Sequence, residues 1–263
     1  MHGAKYTTIL VEEKPPVIRI TLNRPEIHNP FNEVVLAELT DIFRSLQNRE
    51  DIRIVVLTGK GKSFCAGADL HWMKKMKDYT LEENIADAEA LAECMYLLYT
   101  LPQATICRIN GAAIGGGMGL VSACDICIAA EHAVFSLSEI KLGLIPSCIS
   151  PYVIRRAGEG RCRELFLTGE RFNAARAREA GLVNRVVPLE ELDSAVENVV
   201  KGLTTSGPRA ITHCKELIRN VSAMSLDEAK PYTARSIAEL RIGDEGQEGI
   251  SAFFEKRKPS WAE

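Results

Sequence analysis

Two small-residue turns in this 263-residue sequence carry groups suited to hold an anion or polarise a carbonyl. The first, Gly115-Gly116-Gly117-Met118-Gly119, opens a predicted helix. There the main-chain N–H groups lack intrahelical acceptors, and the positive end of the helix dipole favours negative charge. Its spacing does not suit a dinucleotide fingerprint, because Leu120 stands where the last glycine belongs and no strand feeds the turn in the correct frame. Close helix packing also selects glycine, so the cluster alone leaves both readings open. The second turn, Phe64-Cys65-Ala66-Gly67-Ala68-Asp69-Leu70, directly follows a predicted strand, and its small side chains let a ligand approach the main chain. One N–H from each turn, aimed at the same carbonyl oxygen, makes the geometry of an oxyanion hole.

Other constellations carry less. Gly59-Lys60-Gly61-Lys62-Ser63 looks like a phosphate loop, but Val56 occupies the position of its first glycine. It reads either as a lysine-decorated turn or as two cations placed to meet the phosphates of a ligand. Ser136, Ser138, Asp125 and His132 invite a Ser/His/Asp reading, yet there is no Gly-x-Ser-x-Gly elbow, and nearness in sequence does not make a triad. Cys124 and Cys127 form the only Cys-x-x-Cys, with no second pair to complete four zinc ligands, so no metal is expected.

The elements that must position these turns are read from periodicity. Val17 to Leu22, Ile52 to Leu57, Ala104 to Ile109, Ile126 to Ala130 and Val134 to Leu137 are short, β-branched or apolar runs of the kind used for buried strands. Helical spacing separates them at 33–46, 82–100 and from the glycine cluster to about Cys124, so an α/β fold is expected. From about Glu190 the strand signal ends, and helices are predicted near 190–204, 208–221, 226–242 and 246–256, with a turn before Gly243. The formal charge of −3 gives no excess of cations for a nucleic acid or an anionic membrane surface. Gly111 to Ala130 is apolar but too broken to span a bilayer. Eight cysteines, mostly in apolar runs, read as buried thiols in a reducing compartment. With no signal core in Met1 to Thr8, a cytoplasmic location is the expectation.

Ordered along nearly the whole chain are Leu22-Asn23-Arg24-Pro25, Phe64 to Asp69, Ile109-Asn110-Gly111-Ala112-Ala113, Gly115-Gly116-Gly117, Cys124-Asp125-Ile126, Leu142-Gly143-Leu144-Ile145-Pro146, Leu167-Thr168-Gly169-Glu170, Ala180-Gly181-Leu182-Val183 and Phe253-Phe254-Glu255-Lys256-Arg257. In this set the sequence resembles the crotonase superfamily, the enoyl-CoA hydratase/isomerase group. The resemblance implies an α/β spiral of ββα units over residues 1–189 and a helical C-terminal trimerisation region over 190–263. It implies a homo-oligomer, either a trimer or a dimer of trimers, acting on acyl-CoA thioesters. CoA is then part of the substrate, and no separate cofactor is expected. Carried over by position, the amides of Ala68 and Gly116 form the oxyanion hole. Cys65 and Ala66 meet the adenine end of CoA, and Asp69, Leu70, Gly115, Gly117, Gly119 and Pro146 complete the substrate site. Lys256 approaches the phosphates of a ligand bound to a neighbouring subunit.

Hydratases of this family typically place one glutamate shortly after the glycine cluster and a second some twenty residues later, with water held between them. Here the first position is Gly119 and the second is Glu139, which the resemblance makes the general acid/base. A carboxyl half-buried in an apolar pocket would have its pKa raised toward the working pH. Asp69, Glu89 and Glu93 are candidate replacements for the missing acid. The segment from Leu144 to Val153 looks like that of the methylglutaconyl-CoA and isohexenylglutaconyl-CoA hydratase branch, whose substrates carry a carboxylate that Arg155 or Arg156 would meet. The expected activity is hydration of a 2-enoyl thioester on a branched or carboxylated chain. The alternatives are a Δ3,Δ2-enoyl-CoA isomerase with Glu139 as sole proton shuttle, and a non-catalytic homologue that binds acyl-CoA.

Overall fold

The computed structural model describes residues 6–262. Contacts divide the chain into two units, one of residues 1–101 and 105–197 and one of residues 102–104 and 198–263. The first unit begins with β1 (Ile9–Lys14) and β2 (Val17–Leu22), an antiparallel pair, followed by α1 (Glu33–Leu46). Asn32 caps α1 by accepting from the Val35 amide, and Val35, Leu36, Leu39, Ile42, Phe43 and Leu46 fall on one buried face at helical spacing. Burying each such side chain contributes about 1.5–3 kcal/mol. The strand β3 (Ile54–Gly59) starts two residues later than its apolar run. Its parallel partner sets the start: Val17 pairs with Ile54 and Leu22 with Gly59, while Arg53 and Ile54 both donate to the Pro16 carbonyl.

The chain continues through β4 (Ser63–Cys65), α2 (Leu70–Met76), α3 (Leu81–Thr100), β5 (Ala104–Ile109), β6 (Ala112–Ile114) and α4 (Gly116–Ala123). Thr80 and Glu83 close a capping box at the start of α3. Then come β7 (Ile126–Ala130), β8 (Val134–Ser136), a 3₁₀ turn over Ser138–Leu142, α5 (Ser150–Ala157), α6 (Glu159–Thr168), β9 (Arg171–Asn173), α7 (Ala174–Glu179) and β10 (Arg185–Val187). The larger sheet has the order β1-β2-β3-β5-β7-β10 and the smaller one β4-β6-β8-β9. In the smaller sheet β4, β6 and β8 run parallel, and β9 closes it antiparallel to β8. The mixed α/β class expected from the alternation is the class observed.

The helix α8 (Leu192–Thr204) leads into the second unit, which carries α9 (Pro208–Val221), α10 (Leu226–Ile242) and α11 (Asp244–Glu255). Among the described residues no strand lies in its helical part, as the loss of β signal after residue 190 implies. Gly243 makes the predicted turn, and α11 begins two residues earlier than its apolar pattern because Asp244 and Glu245 take its first turn. Among the described residues no helix is long and apolar enough to cross a membrane, and no cluster of three or more potential metal ligands occurs. All eight cysteines are free; Cys148 is half-buried and Cys214 exposed, and the other six are buried.

Candidate active site

Parallel pairing of β4, β6 and β8 brings three separate stretches of sequence to one edge of the small sheet. Cys65 pairs with Ala113, Ala113 with Phe135, and Ile114 with Ser136, so the three strands end side by side. Their carboxyl ends lead into the Ala66 to Asp69 turn, the Gly115-Gly116 turn and the 3₁₀ turn bearing Glu139. Carboxyl ends of parallel strands are the usual ligand edge in α/β folds. The turns touch. A methyl carbon on Gly67 would lie 3.4 Å from the Ile114 carbonyl oxygen, and one on Gly115 would lie 3.8 Å from Gly67 Cα and 3.1 Å from Glu139 Oε1. Gly115 has φ +52°, a conformation that side-chain-bearing residues rarely adopt, so the turn needs glycine for both space and geometry.

The candidate amide of each turn is left unused. Phe31 donates to the Gly67 carbonyl at 2.7 Å and accepts from the Asp69 amide at 2.7 Å. In such a parallel bridge the N–H of the intervening residue, Ala68, points away from the partner strand. In the other turn Gly115 donates to Ser136 and Met118 donates to Gly115, while Gly116 begins α4 and has no intrahelical acceptor. Among the described residues neither Ala68 nor Gly116 donates its amide to the protein. Ala68 is exposed and Gly116 half-buried, whereas Gly67, Gly115 and Gly117 around them are buried.

Glu139 is half-buried, and its Oε2 is fully enclosed without a hydrogen-bond partner. Burial pushes its carboxyl above the ordinary carboxylate range, with only its own backbone pulling the other way. Among the described residues it forms no ion pair, so the pairing with Lys141 or Arg155 that would make it an ordinary surface carboxylate is not found. A raised, unpaired carboxyl next to two idle amides can exchange protons with a substrate whose carbonyl those amides hold.

Several sequence expectations are corrected here. Asp69 is not a spare acid. Although burial opposes it, Arg24 at 2.7 Å and the amides of His71 and Trp72 keep its carboxyl below the ordinary range, and its oxygens are spent on capping α2 and pairing with Arg24. Glu89 is exposed, and Glu93 is exposed and pairs with Arg44. The Cys65 thiol is completely buried, which raises its pKa to about 12, and the Ala66 amide already donates to the His28 carbonyl. Neither residue offers those groups to a ligand. Gly117 serves packing, since a methyl carbon there would lie 2.6 Å from the Cys65 carbonyl oxygen.

Gly119 is buried too, with Ile149 Cγ2 2.4 Å and Met95 Sδ 3.1 Å from where its Cβ would be. The space that a glutamate side chain would need at this position is filled by hydrocarbon, so the site has one carboxylate by construction. Pro146 is buried in the loop before α5, while Leu70 is 80% exposed two residues after Ala68. Lys256 is exposed at the end of α11 in the second unit.

Arg156 is consumed by the carbonyls of Cys124 and Leu182 and by Asn184 Oδ1, and Arg155 donates to Pro151 within α5. The Ser/His/Asp reading fails as well: Ser136 donates to Gly169, Asp125 accepts from Thr105, and His132 is exposed. Lys60 and Lys62 are exposed on a turn pinned by Asn29 and Asn110, whose amide groups bond the carbonyls of Lys60, Gly61 and Ser63. Phe31 and Met95 have no distinguishing signal in the sequence, because each reaches the site from an element remote along the chain, whereas Ile149 falls within the Leu144 to Val153 segment.

Residues 12–263 match the family model described as enoyl-CoA hydratase/isomerase. An enoyl-CoA hydratase, AKT6-1, from Alternaria alternata is 33% identical over 251 residues, covering 94% of this chain and 82% of that protein. Among solved structures, an enoyl-CoA hydratase from Shewanella pealeana superposes with TM-score 0.94 at 38% identity, over 98% of this chain and 97% of that one. Pseudomonas aeruginosa AtuE superposes with TM-score 0.95 at 34% identity, over 98% of this chain and all of that one (100%).

Proposed function

The chain belongs to the enoyl-CoA hydratase/isomerase family, and from that premise we propose that it hydrates the 2,3 double bond of an acyl-CoA thioester using Glu139 as its one acid/base. The observation that carries this reading is the half-buried Glu139 carboxyl, its Oε2 enclosed without a hydrogen-bond partner, beside two turns with idle amides. The thioester carbonyl accepts from the amides of Ala68 and Gly116, which stabilise the enolate by roughly 3–4 kcal/mol per donor. The Glu139 carboxylate takes a proton from water, the hydroxide oxygen bonds to C3, and the double-bond electrons move onto C2 and the thioester oxygen. The carboxyl then returns that proton to C2. One water is consumed, and the glutamate ends as it began.

Exposed hydrocarbon lies just beyond both functional turns: Leu70 after Ala68, and Leu142, Leu144 and Ile145 after Glu139. With Arg156 otherwise engaged and Arg155 bonded to the Pro151 carbonyl, this supports an apolar acyl chain over a carboxylated one. The hydrocarbon seated at Gly119 favours a second reading, a Δ3,Δ2-enoyl-CoA isomerase in which Glu139 carries a proton between C4 and C2 without water. Assembly through the helical unit as a trimer or dimer of trimers, with Lys256 serving a neighbour's ligand, belongs to the same proposal.

A single assay tests both readings. Absorbance of a conjugated 2-enoyl-CoA falls with hydration, and absorbance generated from a 3-enoyl-CoA rises with isomerisation. Because the carboxylate is the proton acceptor and burial raises its pKa, hydration is expected to increase with pH through an inflection above the ordinary carboxylate range. Acyl-CoA binding without any product from a broad enoyl panel contradicts both activities and indicates the non-catalytic homologue.

A further inference from the structure

The two idle amides belong to turns far apart in sequence, and Phe31 touches both. The Phe31 main chain bonds Gly67 and Asp69, the residues on either side of Ala68, each at 2.7 Å. Its ring lies against the other turn, with Cδ2 and Cε2 2.8 and 2.9 Å from where a Cβ on Gly116 would be. Phe31 is 2% exposed and fixed from both directions. On one side Arg24 donates to the Pro30 carbonyl at 3.1 Å and pairs with Asp69 at 2.7 Å, and on the other Asn32 caps α1. The ring therefore stands on a braced backbone.

We propose that Phe31 is a positioning residue that sets the separation and aim of the Ala68 and Gly116 amides, its backbone locating one and its ring locating the other. This rests on the oxyanion reading above. A flat ring against a glycine Cα is a thin, stiff spacer, and a flexible or shorter side chain lets the start of α4 move relative to the Ala68 turn. Donor placement errors on the order of 1 Å cost about 10²-fold in rate, and a displaced donor acts on the reacting carbonyl more than on the rest of a large CoA ligand.

Isotope-edited infrared spectroscopy of bound butyryl-CoA labelled with ¹³C at the thioester carbonyl reads the hole directly, alongside kcat and KM on an enoyl-CoA. In the wild-type protein the carbonyl stretch should move to lower frequency than in solution. Phe31→Leu, which retains most of the core volume, should return part of that shift and lower kcat about tenfold with KM within about threefold, less than the full loss for a misplaced donor. Phe31→Ala, where it folds, should go further in both, and Phe31→Tyr should restore the shift toward wild type. A shifted wild-type carbonyl that stays unchanged in Phe31→Leu overturns the positioning role while leaving the oxyanion pair intact. An unshifted wild-type carbonyl removes the pair, and with it this proposal.

Discussion

Glu139→Gln is expected to lower hydration by about 10³-fold, the middle of the range for loss of a general acid/base, with acyl-CoA affinity retained. The substitution keeps the shape of the side chain while removing its capacity to accept a proton from water. It also separates a catalytic role from a structural one by its effect on stability. Burial raises the pKa of Glu139 in the folded protein, so folding favours the protonated form. The stability associated with that preference is fully present below the ordinary carboxylate pKa and is lost as pH rises through the raised folded value. Glutamine cannot ionise, so denaturation of the two proteins should agree most closely at low pH, and the variant should gain relative to wild type as pH passes through that window. A variant that keeps hydration within a few fold of wild type would move the proton chemistry to another residue.

The second large effect is expected from Ala68→Pro. Proline deletes the N–H at a position that is exposed and makes no amide hydrogen bond to the protein among the described residues, so the bridge between Phe31 and residues 67 and 69 need lose no bond. Loss of one oxyanion donor costs roughly 10²–10³-fold in kcat. Far-UV circular dichroism and thermal denaturation should show the fold kept, and steady-state kinetics should place the loss in kcat more than in KM. Combined with Glu139→Gln, the losses should fall short of multiplying, because donor and base serve a single transition state.

Much of this architecture is legible from local pattern. The apolar stripe of α1, the buried runs at Val17 to Leu22 and Ala104 to Ile109, and the helical C-terminal region each state their own periodicity. The edge that assembles the site is less so. Strands of three residues such as β4, β6 and β8 are too short to show alternation, and their parallel pairing is a long-range fact. Resemblance to a family is what singles out the two amides and Glu139 in the sequence, and the strand pairing explains why they share one edge.

Residues whose types have two uses are the ones a linear reading gets wrong. Asp69 has the chemistry of an acid, yet it stands at the start of α2, where aspartate caps free amides, and that local signal is present in the sequence. Gly117 and Gly119 suit close ligand approach and close packing equally well; the contacts of Cys65 with Gly117 and of Ile149 with Gly119 show that packing alone requires glycine at both positions. Phe31, which joins the two turns, carries no polar group and lies 37 positions before Ala68 in the chain. Nothing in its local sequence distinguishes it from any other core aromatic.

The central claim concerns where a thioester oxygen sits, so a crystal structure with a bound, unreactive acyl-CoA tests it most directly. That oxygen is expected within about 3 Å of both the Ala68 and Gly116 nitrogens, with Glu139 facing the carbons next to the carbonyl. An oxygen held by other groups, with those two nitrogens turned apart, contradicts it.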